Sequence, residues 1–84
     1  MFLHVTTVHV LDHYRLRLEF NDGATKEVDL VGELYGEVFE PLLDPKLFEK
    51  VFVNHETGTI EWANGADFAP EFLYEAGAPA ERVA

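Results

Sequence analysis

Three histidines fall close together near the start of the chain, His4, His9 and His13, and imidazoles gathered near one turn are ligands that zinc takes. The spacing works against convergence. Side chains alternate along a plain strand, so His4 and His9 point to opposite faces, and only an extra residue between them brings them together. There is no cysteine and no H-E-x-x-H pattern, so no metal site is expected and exposed strand histidines are the simpler reading. A second candidate is carboxylate chemistry. Glu61 and Asp67, with His55, would serve as acid and base if one carboxyl were buried in an apolar pocket so that the two pKa values separate. Glu61 alternates with Ile60 and Trp62, which directs it to solvent. The chain has no serine, no P-loop and no G-x-G-x-x-G, so serine chemistry and nucleotide cradles are excluded. No catalytic residue and no cofactor is expected.

The densest group of special residues is residues 60–74, IEWANGADFAPEFLY, with the only tryptophan of the chain. Each polar residue here has a structural task. Asn64-Gly65 is a preferred pair for positive φ, Asp67 is placed to accept backbone N–H groups at a helix start, and Pro70 suits the first helical turn. Trp62 and Phe68 would cover the adjoining core, with the indole N–H seeking an acceptor.

These residues need a scaffold, and 84 residues hold only one hydrophobic core. The expectation is a single α+β domain over residues 1–77, followed by a flexible tail over residues 78–84. Hydrophobic residues make up 48% of the chain, a globular composition. No apolar run approaches the roughly 20 residues that cross a bilayer, and the first residues lack the basic flank of a signal peptide. A cytoplasmic location is expected, in keeping with the absence of cysteine. Sixteen acidic residues against six basic ones leave a net charge of −10. Phosphate binding needs clustered Lys and Arg, and here the cations are scattered among carboxylates, so direct binding to nucleic acid or an anionic membrane is disfavoured. A basic protein partner would be steered to such a surface.

Alternation marks the elements. Leu3 and Val5 share one parity, Val8 and Val10 the other, and a bulge near Thr6 and Thr7 reconciles them. Tyr14, Leu16, Leu18 and Phe20 alternate with Arg15, Arg17 and Glu19, a strand with one buried face. Asn21 to Gly23 form a turn, and about Ala24 to Leu30 form the return strand. Leu30 to Leu34 reads as a very short helix with Asp29 as N-cap, and Pro41 limits Val38 to Leu43 to about a turn. Asp44-Pro45 starts another helix that turns Leu47 and Phe48 to the core and stops near Lys50. Val51, Val53 and then Thr59 to Trp62 form a second hairpin around a turn at His55 to Gly58. Last comes a helix from Ala69 to Ala76 that faces the core with Ala69, Phe72, Leu73 and Ala76, with Gly77 as its C-terminal cap. The fold class is α+β, an antiparallel sheet of a three-stranded meander plus a second hairpin, with short helices packed on one face.

The segments VHVLDHYRLRLEFNDGATKEVDL, VFEPLLDPKLFEKVFV and GTIEWANGADFAPEFLY together resemble a small bacterial family, domain of unknown function 2442, over roughly residues 5–75. Its most specific parts here are Phe20 with Asp22-Gly23, Val28-Asp29-Leu30, Phe48, and Trp62 with Asn64, Gly65, Asp67 and Tyr74. Ala63 stands where proline is frequent. The resemblance implies an α+β fold on an antiparallel sheet, and members that stand alone or precede a helix-turn-helix domain; the stand-alone form is expected here. It also implies association with a second small protein, in the manner of a toxin and antitoxin pair, and it carries over no catalytic residue.

The remaining expectation concerns partners. So few strands leave two sheet edges open, and Tyr14, Tyr35, Phe39, Phe52 and Tyr74 are more aromatics than such a core needs. Tyr35, Phe39, Trp62 and Tyr74 are the expected partner surface, for a protein partner or for self-association as a homodimer. The function expected is therefore a non-enzymatic protein-interaction or regulatory module, the acidic, antitoxin-like half of a two-gene pair. The alternative is a small-ligand-binding or minor hydrolytic domain that uses the Trp62 to Asp67 corner.

Overall fold

The computed structural model describes residues 2–79. β1 (Val5–Val10), β2 (Arg15–Phe20) and β3 (Thr25–Asp29) form the expected antiparallel meander. The register slips between Val5 and Thr7, which is the expected bulge. Its effect is to set Val5 opposite Phe20, Val8 opposite Leu18 and Val10 opposite Leu16, so the apolar residues on both sides of the bulge share the core face. The other face carries Arg15, Arg17, Glu27 and Asp29, where Arg17 pairs with Glu27 at 3.2 Å.

Two sequence expectations fail at the ends of this sheet. Tyr14 is not in β2 but in the β1–β2 turn, where His13 and Tyr14 adopt positive φ values of 55° and 62°. Its ring packs edge-on against Phe48, with centroids 5.4 Å apart, and its hydroxyl donates to the Leu43 carbonyl. Ala78 and Pro79, expected to open a tail, instead form β6 (Ala78–Pro79), a fourth strand against β3 that pairs Lys26 with Pro79 and Glu27 with Ala78. The rest of that expected tail, residues 80–84, lies outside the described residues.

After β3 the chain makes two 3₁₀ turns, Val31–Glu33 and Glu40–Leu43, the second limited by Pro41 as the sequence implied. Asp29 Oδ1 accepts from Val31 N at 3.1 Å, while Leu30 occupies the cap position. Helix α1 (Pro45–Phe48) follows, with the Asp44 side chain accepting from Lys46 N. Phe48 is buried but Leu47 is 41% exposed, because a helix of one turn can bury only one side of itself. β4 (Phe52–Asn54) and β5 (Thr59–Glu61) form a separate two-stranded sheet.

Helix α2 (Pro70–Ala76) buries only Leu73, while Phe72 is 37% exposed and Ala69 and Ala76 are exposed too. Seven residues are too few to hold a helix by hydrogen bonds alone, so the burial of Leu73, about 1.5–3 kcal/mol, is a main anchor. Gly77 closes the helix through N–H to Leu73 O but at φ −79°, not in the left-handed conformation of a glycine cap. Its need is space: a Cβ there would stand 2.8 Å from Lys26 Cβ and 3.0 Å from Val28 Cγ2. The core is one cluster, in which Leu16, Leu18, Val28 and Leu30 from the meander meet Phe48, Ile60, Trp62 and Leu73.

Candidate functional site

The tryptophan corner is built by three residues. Trp62 is buried at 2% exposure, and its indole N–H donates to Phe48 O at 2.9 Å, so the expected acceptor is the end of α1. Its ring lies 5.7 Å from Phe48 and 6.1 Å from Phe68, centroid to centroid. Gly65 takes φ +93° and lets Trp62 N–H reach Ala66 O at 2.9 Å. Asn64 does double duty: its Oδ1 accepts from Ala66 N at 3.1 Å, and its Nδ2 donates to Val38 O at 2.9 Å, pinning the corner to the loop before the second 3₁₀ turn.

Asp67 corrects the sequence reading. The N-cap of α2 is Ala69, with no side-chain cap, and the exposed Asp67 carboxylate holds no hydrogen-bond or ion-pair partner among the described residues. Asp67 instead forms a backbone bridge with Glu61, which fixes it in the run that leaves β5, ahead of the position from which a side chain caps. Within the corner the side chain that holds main-chain groups is Asn64, and the start of α2 is left without a side-chain cap.

The other motif residues form a second knot across the sheet. Asp22 Oδ1 accepts from Ala24 N at 2.9 Å, and Oδ2 accepts from the Tyr74 hydroxyl at 2.7 Å. That hydroxyl and the Ala24 amide hold the Asp22 carboxyl below its ordinary range, and the same carboxylate pushes the Tyr74 phenol up. Gly23 completes the turn at φ +91°, Phe20 meets the Tyr74 ring edge-on at 5.0 Å, and Lys26 Nζ lies 4.3 Å from the Tyr74 centroid.

The residues singled out for chemistry do not come together. His4 Nδ1 lies 3.2 Å from Phe2 O, His9 is exposed opposite Arg17, and the His13 side chain is 86% exposed beside Asp12. Among the described residues no three His, Cys, Asp or Glu side chains gather as metal ligands. Glu61, half-buried, accepts from Asn54 Nδ2 at 3.1 Å, and His55 sits in the exposed hairpin turn. Next to the corner is an open, mostly apolar groove of about 260 Å³, lined by Pro41, Leu42, Leu47, Lys50, Trp62 and Asn64.

The expected partner surface is broken up. Trp62 is in the core, Tyr74 is tied to Asp22, and Phe39 is half-buried against Phe68 with centroids 4.8 Å apart; only Tyr35, 71% exposed, is free at the surface. A different surface stands out, the outer edge of β1. Leu11 N donates to Arg15 O, so His9 with Arg17 and Thr7 with Glu19 are the hydrogen-bonded pairs of the ladder, and the N–H and C=O of Val8 and Val10 point away from β2. The opposite edge is protected, because β6 is two residues long and Pro79 has no N–H to offer. At the start of β1, Val5 N–H is already satisfied by Gly58 O at 2.8 Å. Charge singles out the same strand. Residues 1–11 contain no Asp, Glu, Lys or Arg, and no other stretch without them exceeds five residues. That run was readable in the sequence; which strand would be left at the edge was not.

Among the described residues no helix is long and apolar enough to cross a membrane. The family described as "Protein of unknown function (DUF2442)" matches residues 5–79, nearly the whole length. No curated protein and no solved structure matches the chain.

Proposed function

The chain belongs to this DUF2442 family, and we propose that it is a non-enzymatic interaction module which binds another polypeptide by adding a strand to the open edge of β1. One observation carries the reading: Val8 and Val10, beyond the bulge, turn unpaired backbone donors and acceptors outward on a strand that carries neither charge nor proline to guard it. Main-chain hydrogen bonds of that kind give affinity without a pocket. The carboxylates spread over the rest of the surface oppose nucleic acid and anionic membrane and favour a protein partner. In a two-gene regulatory pair this chain would be the acidic, antitoxin-like member, acting in the cytoplasm.

The test is a photoreactive amino acid at position 9, irradiated in the living cell, with the same probe at the exposed Glu56 as reference. A polypeptide adduct formed at position 9 and not at position 56 is expected. Equal adducts at both positions, or none at position 9, overturn strand addition at β1.

The groove beside Trp62 favours a second reading, a small apolar ligand, since Lys50 is its one charged lining residue. Leu47→Glu would abolish such binding and leave the photo-adduct at position 9 unchanged.

A further inference from the structure

We infer that the polypeptide which pairs with β1 is a second copy of this chain, joined about a twofold axis at His9; this rests on the reading of β1 as the binding edge.

The chemistry of the edge selects its occupant. An incoming strand must lie flat against Val8 and Val10, and β1 offers it no charge to pair with. A basic segment would find its carboxylates elsewhere on the molecule and none on this strand. The strand that fits is uncharged and β-branched, and β1, with the sequence VTTVHV, is such a strand. Two chains of net charge −10 repel over most of their surfaces, and this is the longest stretch where they can touch without opposing fixed charges.

Register follows from the ladder. In antiparallel pairing about His9, Val8 of one copy faces Val10 of the other, and both residues have their N–H and C=O pointing outward. All of those outward groups are then used, and the two meanders become one continuous sheet. His9 becomes the non-hydrogen-bonded pair at the axis, with its Cα about 4.5 Å from the Cα of His9 in the second copy. Val8 and Val10 share the core face of their strand, so Val10, now 41% exposed, gains Val8 of the second copy as its neighbour. The symmetry has a consequence that no other partner shares: residue 9 opposes itself.

That consequence supplies the experiment. Sedimentation equilibrium on the wild type, His9→Lys and His9→Glu is followed by a mixture of the two variants, with circular dichroism melts confirming that each is folded. His9 is exposed on the outer face, so the fold tolerates either charge. A concentration-dependent wild-type dimer is expected, with each variant alone weakened roughly tenfold or more by like charges directly opposed, and with the mixture restored to wild-type affinity or better. A wild type that stays monomeric overturns the inference, as do variants that dimerise as tightly as wild type or a mixture no tighter than its components. In the photo-crosslinking experiment a position 9 adduct with a different polypeptide overturns the second copy and leaves the binding edge standing, whereas absence of any adduct removes both.

Discussion

The Tyr74 hydroxyl donates to Asp22 Oδ2 at 2.7 Å, so the middle of α2 is tied to the β2–β3 turn across 52 residues of sequence. The bond exists with Asp22 ionised and Tyr74 neutral, and the two shifts give it limits at both ends of the pH scale. Asp22 is depressed in the folded chain below its ordinary 3.8, so its contribution is present above that value and is lost as pH falls through the folded one. Tyr74 is raised above its ordinary 10.0, so its contribution is full below that value and is lost as pH rises through the folded one. Tyr74→Phe should lower the urea midpoint near neutrality and leave it unchanged at the acid extreme. A midpoint difference that persists below the Asp22 titration would show that the hydroxyl acts through some other contact.

Asn64 and Asp67 separate scaffolding from surface. Asn64→Ala removes the acceptor for Ala66 N and the donor to Val38 O, and loss of such a corner should destabilise the domain by about 1–2 kcal/mol. Asp67→Ala removes a side chain with no partner among the described residues, and should stay within about 0.5 kcal/mol of wild type. Paired urea titrations check the contrast. Equal losses would mean that the corner is held as a unit and not by Asn64.

Gly77→Ala tests the close approach of α2 to β3. The new Cβ would meet Lys26 Cβ at 2.8 Å and Leu73 O at 3.0 Å, and neither a Cβ fixed to its backbone nor a backbone oxygen can swing aside as a side-chain tip does. A cost of about 1–3 kcal/mol is expected, with faster amide exchange at Glu27, whose N–H faces β6. A variant as stable as wild type would mean that the end of α2 is loose enough to move off the sheet.

Much of this was legible in the sequence, for physical reasons that also mark where reading stops. The switch of parity between Val5 and Val8 demanded a bulge, since a buried face leaves no other way to place both. The buried face of β2 and the Trp62 indole seeking an acceptor followed equally from local chemistry. What failed was decided by distant contacts. Trp62 looked available to a partner until Phe48 and Phe68 enclosed it, and Tyr74 until Asp22 held its hydroxyl. Ala78 and Pro79 became a strand only because β3 had an open edge beside them. Asp67 has a good capping residue type in a place where the β5 bridge keeps it away from the helix start.

Trp62→Phe measures the joint on which α1, the corner and the core converge. The substitution keeps an aromatic ring but leaves Phe48 O, at the end of α1, without its 2.9 Å donor, and a smaller ring leaves space beside Phe48 and Phe68. Phe48 O keeps the Val51 N–H at 3.3 Å, so the lost hydrogen bond itself costs about 0.5–1.5 kcal/mol, the lost volume adds to it, and a fall of about 1–3 kcal/mol is expected. For a chain of 84 residues, with total stability of roughly 4–13 kcal/mol, that is a large share. Trp62 is the only tryptophan, so the comparison is made by circular dichroism, with Tyr35→Ala at 71% exposure as the control that should change nothing. If Trp62→Phe unfolded at the wild-type urea midpoint, the Phe48 carbonyl would have found water, and the corner would not hold α1 to the core.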